Sequence, residues 1–123
     1  MAIIKYKTNY ERLKDNHTLT SLTQKVLKFR DDRNWAQFHT GKDIAMDLSV
    51  EAAEVLELFL WKQDDAVNTD KLKDELGDAF YALLLLADHY KIDLETALIN
   101  KLKKNEQKYP VKKFRNSNRK YNE

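Results

Sequence analysis

Residues 43–90 read DIAMDLSVEAAEVLELFLWKQDDAVNTDKLKDELGDAFYALLLLADHY, and two acidic pairs stand inside this strongly apolar stretch. Glu51 and Glu54 form the first pair, Glu75 and Asp78 the second, each at i, i+3. On an α-helix, residues three apart lie about 60° apart around the axis, so each pair sets its carboxylates side by side on one face. Glu51 falls between Leu48 and Val55, and Glu75 between Leu72 and Ala79, all positions that face a helical core. The apolar series Ile44, Leu48, Ala52, Val55, Leu58 and Phe59 predicts a helix from Asp43 to Lys62 with Asp43 as its N-cap. After the polar turn QDDAVNTD, the series Leu72, Leu76, Ala79, Phe80, Leu83 and Leu86 predicts a second helix, capped by Asn68 or Thr69 and reaching Tyr90. The last half of that helix is apolar nearly all round, which predicts burial on several sides, in an oligomer interface or at the bundle centre, and a homo-oligomer is expected.

Outward from this centre the chain stays helical. Upstream, Leu19, Leu22, Val26 and Phe29 recur at steps of three and four, giving an amphipathic helix over 18–33 with Thr18 or Thr20 as cap. The aromatic-rich NWAQFHTGK that follows breaks the period and reads as a loop, and residues 1–16 read as an arm without a clean pattern. Downstream, Asp93 is placed to cap a further helix, with Ile92 and Ala97 forming its staple and Leu94, Leu98 and Leu102 its stripe. Pro110 ends that helix, and the remainder VKKFRNSNRKYNE has too few apolar residues to form a unit of its own. The expected architecture is all-α: a four-helix bundle-like protomer over residues 1–110, with 111–123 as a basic tail or lid.

Composition supports that class and removes others. In 123 residues there are only 2 Gly and 1 Pro, with 42% hydrophobic and 34% charged side chains, which favours long helices over a turn-rich β fold. The 22 basic residues nearly balance the 20 acidic ones, so the molecule as a whole carries no strong nucleic-acid or membrane signal. There is no cysteine, which excludes disulfides, thiolate metal sites and cysteine nucleophiles. The N-terminal residues lack a signal-peptide pattern, and the apolar run 79–87 is far too short to span a bilayer. A soluble, cytoplasmic protein is expected.

Burying a lone carboxylate is so costly that it must be protonated, paired with a cation or bound to a metal. Four acids brought together raise one another's pKa unless a divalent cation neutralises them. Oxygen donors alone, with no His or Cys at ligand spacing, suit Mg²⁺ or Mn²⁺; di-iron bundles place His where this chain has Glu54 and Asp78. Mg²⁺ usually completes its shell with water and substrate phosphates, so a four-carboxylate helical site points to phosphate chemistry. The competing reading pairs these acids with Lys62, Lys71 and Lys73. The protein would then be a non-catalytic helical interaction protein whose basic tail binds nucleic acid or a partner.

The segments NWAQFHTGKDIAMDLSVEAAEVLELFLWK, DELGDAFYALLLLADHYKID and KLKKNEQKYP resemble the all-α MazG-like nucleoside triphosphate pyrophosphohydrolases, closest to the dCTP pyrophosphatase type. The likeness covers roughly residues 29–110. It implies hydrolysis of a nucleoside triphosphate to the monophosphate and pyrophosphate, with Mg²⁺ held by Glu51, Glu54, Glu75 and Asp78, in dimers assembled into tetramers. Glu54 is then a candidate base for the attacking water. The resemblance makes Trp35 and Trp61 walls of a base pocket with Phe38 and His39 nearby, and Asn105 a sugar contact. Lys108 leads the candidates for the phosphates, ahead of Lys112, Lys113, Arg115 and Arg119. Where dCTP-selective relatives carry a base-contacting His nine residues before the first Trp, this chain has Val26. A (deoxy)pyrimidine nucleotide is the first expected substrate, with dUTP or diphosphate preference as alternatives.

Overall fold

Local hydrogen bonding at the helix starts sets out the chain. A computed structural model describes residues 17–63 and 66–123; the arm expected over residues 1–16 lies outside the described residues. Helix α1 spans Leu19–Asp31, and Thr18 opens it with a reciprocal capping box to Ser21. Asn34, left-handed at φ 52°, then turns the chain into a single 3₁₀ turn, Trp35–Phe38. The aromatic loop therefore contains a short ordered turn that fixes Trp35.

Helix α2 spans Gly41–Glu57 and differs from expectation at both ends. Its N-cap is Thr40; Asp43 is the third helical residue, and its carboxylate closes the capping box on Thr40. Both residues are good caps, and the pairing of Thr with an acid three residues later decides between them. At the other end Leu58, Phe59 and Leu60 bond back three residues rather than four. The helix tightens and stops there, and Trp61 takes a left-handed φ of 63°.

Asn68 caps α3, Thr69–His89, by accepting from the amides of Asp70 and Lys71. This helix ends in a Schellman arrangement, with the Ile92 amide donating to the Ala87 carbonyl at 2.8 Å and Lys91 left-handed at φ 56°. Asp93 then caps α4, Leu94–Lys108, and Pro110 precedes a one-turn α5, Val111–Phe114.

Helix α3 is the axis of the molecule: it packs most extensively on α2 and also on α1. The buried apolar side chains are Ile44 of α2 and Ala82, Leu84, Leu85 and Ala87 of α3, so the core lies against the second half of α3. Among the described residues helix α4 does not pack along any other helix, and its stripe residues Leu98, Ile99 and Leu102 are exposed. The protein is all-α, but the four-helix packing expected from periodicity is not closed among the described residues of one chain. Amphipathicity identifies an apolar face without saying which chain covers it.

The two glycines play different parts. A Cβ on Gly41 would run into the Tyr90 ring and hydroxyl, so the α2 start and the α3 end approach closely only because Gly41 has none. Gly77, in the middle of α3, has nothing within 4 Å of a Cβ position. Close helix packing does not explain it among the described residues. Gly77→Ala is therefore expected to stabilise the chain by about 1 kcal/mol, the helix-propensity difference. Thermal denaturation checks this; a lower Tm would show that the space beside Gly77 is filled in the assembled protein.

Candidate metal centre

The α2–α3 contact sets the acids where periodicity placed them. Ile44, Leu48, Glu51 and Val55 form one stripe and Leu72, Glu75, Ala79 and Ala82 the facing one, all buried or half-buried. Carboxylate oxygens of Glu51, Glu54 and Glu75 lie within 4.8 Å of one another. Asp78 is more exposed and outside that trio, yet near enough for its charge to act on both Glu51 and Glu75.

Among the described residues the trio has no cationic partner. Among the described residues the lysine of this region that forms an ion pair is Lys73, with Asp70 at 3.9 Å, on an exposed flank. Oε2 of Glu51 and Oε2 of Glu75 are buried without a hydrogen-bond partner. The Glu51 carboxyl is pushed up to about 7, first by burial, then by a hydrogen bond with Glu54 and by the charges of Glu54, Asp78 and Glu75. Glu75 is raised too, chiefly through the hydrogen bond with Glu54, then by burial and the neighbouring acids. No lysine among the described residues neutralises this cluster. Oxygen donors close together, half-buried, mutually repelling and with unsatisfied lone pairs fit a hard divalent cation.

Beside the trio opens a cleft of about 330 Å³ lined by Trp35, His39, Asp47, Glu51, Asp78 and Tyr81 over the apolar Ile44, Ala82 and Leu85. A second, more open cleft shares Trp35, Asp78 and Tyr81 with it and is completed by Lys25, Val26, Phe29 and Gly77. Phe29 links the two walls, edge-on to Trp35 at 5.8 Å and to Tyr81 at 6.0 Å. The Arg33 guanidinium covers Phe29 at 3.7 Å and donates to its carbonyl at 2.8 Å. Nδ1 of His39 and the Tyr81 hydroxyl are buried without partners, and burial raises the Tyr81 phenol, keeping it protonated.

One chain thus brings together Glu51, Glu54, Glu75, Asp78, Trp35 and His39. Phe38 is largely exposed. Trp61 is 101% exposed and lines neither cleft among the described residues. Asn105 and Lys108 lie on α4, away from the α2–α3 packing, and line neither cleft. Asp47, Phe29 and Tyr81 join the site unanticipated. Asp47 is one turn before Glu51 and Tyr81 three residues after Asp78, so helical spacing from the known acids was the signal that could have found them.

Fold and site together define an all-α protein that gathers carboxylates from two facing helices beside an aromatic cleft. The MazG-like family model matches residues 47–123, and the chain belongs to that family. Its enzyme class is that of the nucleoside triphosphate pyrophosphohydrolases. It is 32% identical over 114 residues to dCTP pyrophosphatase 1 of Homo sapiens, covering 86% of this chain and 67% of that protein. With dCTP pyrophosphatase 1 of Mus musculus the identity is 33% over 118 residues, covering 89% and 69%. A pyrophosphatase from Archaeoglobus fulgidus, known from its crystal structure, superposes with a TM-score of 0.65 at 32% identity, over 89% of this chain and 99% of that one.

Proposed function

We propose that the chain hydrolyses a (deoxy)nucleoside triphosphate, a pyrimidine nucleotide first, to the monophosphate and pyrophosphate, with Mg²⁺ or Mn²⁺ held by Glu51, Glu54, Glu75 and Asp78. The observation that carries this is the trio of carboxylates within 4.8 Å of one another, without a cationic partner among the described residues. A bound divalent cation supplies charge neutralisation for the triphosphate and makes a bound water more acidic. The protein side of the chemistry lies in its own groups. Glu54 lies in the trio with Glu51 and Glu75, so its carboxylate is in reach of a water held there and suited to take that water's proton. Trp35, braced edge-on by Phe29, offers a face on which a base stacks, worth about 1–3 kcal/mol in single-strand binders.

The pyrimidine preference draws on the dCTP pyrophosphatases among the relatives. Val26 lines the open cleft beside Trp35, where an apolar side chain reads shape rather than a hydrogen-bonding edge. A homo-oligomer, dimer or tetramer, fits Leu76, Phe80 and Leu83 of α3 and Leu98, Ile99 and Leu102 of α4, which all stand exposed in one chain. Trp61, Asn105 and Lys108 then have a route to a site through a neighbouring copy. The enzyme would act on the cytoplasmic nucleotide pool; among the described residues no helix is long and apolar enough to cross a membrane.

Pyrophosphate release from a panel of canonical triphosphates and diphosphates, with sedimentation on the same sample, tests this reading. Turnover should be highest for a pyrimidine triphosphate and the particle larger than one chain. Release from diphosphates alone, or a monodisperse monomer, would overturn the corresponding part.

A further inference from the structure

The formal charge of +2 hides a sharp division along the chain. Residues 43–78 carry eleven carboxylates against three lysines, a net −8, whereas residues 101–123 carry nine basic side chains against two acids, a net +7. None of those nine cations has a carboxylate partner among the described residues. Nor are they a loose run. Tyr109 sits edge-on to Phe114 at 5.0 Å and to Tyr121 at 5.8 Å, closing 109–121 into a small aromatic cluster at the end of α4. Lys108 lies over Tyr121 at 5.0 Å, and Lys113 and Arg119 over Phe114 at 5.7 and 5.6 Å. Rings that hold cations in place reduce the ordering cost when those cations meet an anion.

Such a preformed basic surface needs a dense anion, and the acidic centre of the same protein is where one has to be received. A nucleoside triphosphate brings several negative charges to a site already rich in carboxylate, so binding requires cations beyond a metal ion. Among the described residues no helix packs along α4, and Leu98, Ile99 and Leu102 stand exposed beside the cluster, so the complementary surface it fits is that of a second copy.

We propose that the basic aromatic cluster of residues 108–121 is a phosphate clamp that completes the nucleotide site of a neighbouring copy of this chain. This rests on the nucleotide reading above. Lys112 and Arg115, exposed beside the cation-covered rings, are the side chains free to contact phosphate oxygens; Lys113 and Arg119 hold the cluster's field in place. The match of the family model through residue 123 places this segment within the family's domain rather than beyond it.

The test uses the full-length chain with Lys112, Lys113, Arg115 and Arg119 all replaced by Gln. KM for the preferred triphosphate should rise about tenfold or more through lost charge-assisted hydrogen bonds, while Mn²⁺ affinity at the carboxylates stays within about twofold. Its kcat/KM should also depend less steeply on salt than the parent's. Co-expression with Glu75→Gln, which keeps its cluster and lacks a working carboxylate site, should return part of the activity to the parent's KM, a low-KM activity that neither variant shows alone. An unchanged KM would overturn the proposal, and loss of single-stranded oligonucleotide binding at unchanged KM would assign the cluster to nucleic acid instead. A raised KM without restoration would overturn the neighbouring-copy part. A parent that binds Mn²⁺ but neither binds nor turns over a nucleotide would overturn the nucleotide reading, and the clamp with it.

Discussion

Glu75→Gln is expected to lower kcat/KM for the nucleoside triphosphate by at least about 10³-fold, because a metal clamp on a phosphoryl group is worth several kcal/mol and each ~1.4 kcal/mol is a factor of ten. The substitution keeps the shape and the amide still offers one oxygen, but it removes a charge from a trio whose members lie within 4.8 Å of one another. The metal-free protein should respond in the opposite direction. Glu75 is raised by Glu54, burial and neighbouring charge, so its ionised form strains the fold when no cation is bound. Glu75→Gln should therefore melt higher than the parent in a chelator at pH 8, yet gain little from added Mg²⁺. If the acids were ordinary lysine-paired surface groups, the variant would keep its activity and melt lower or unchanged.

The second large effect is on pH. Glu51 moves from the usual 4.5 up to about 7 on folding, chiefly through burial. A carboxyl raised in the folded state favours that state at low pH: its contribution is fully present below 4.5 and is lost as pH rises through about 7. The metal-free protein should lose stability between pH 5 and 8 on this account. Cation binding works against the proton, so affinity should weaken about tenfold per pH unit below the titration for each proton displaced. Mn²⁺ titrations followed by calorimetry at pH 5, 6, 7 and 8 would show both the slope and the proton release. An affinity flat across that range would mean that the buried carboxyls are not the ligands.

What could be read from the chain follows the range of the interactions. Thr18, Asn68 and Asp93 cap helices as expected because capping is settled within three or four residues. Asp43 was displaced from the cap by Thr40 within the same local contest. The meeting of Glu51, Glu54 and Glu75 was legible because two stripes of matching period must face each other to bury Ile44 and Ala82. The stop at Glu57 was not, since Leu58, Phe59 and Leu60 are good helix residues and only their three-residue hydrogen bonds reveal the tightening. Trp61 and the α4 stripe were legible as apolar surface but not as surface left open, because a covering chain leaves no mark on periodicity. The tail was legible as a basic tail or lid but not as a built cluster: its aromatics, Tyr109, Phe114 and Tyr121, are spaced irregularly, and only folding brings them together.

Product analysis of a single triphosphate tests the central claim most directly. With Mg²⁺ present the parent should release monophosphate and pyrophosphate in equal amounts, and with a chelator neither should form. Nucleoside diphosphate with inorganic phosphate as the products, or equal pyrophosphate release in the chelator, would contradict the assignment of the α2–α3 carboxylates to metal-assisted pyrophosphohydrolysis.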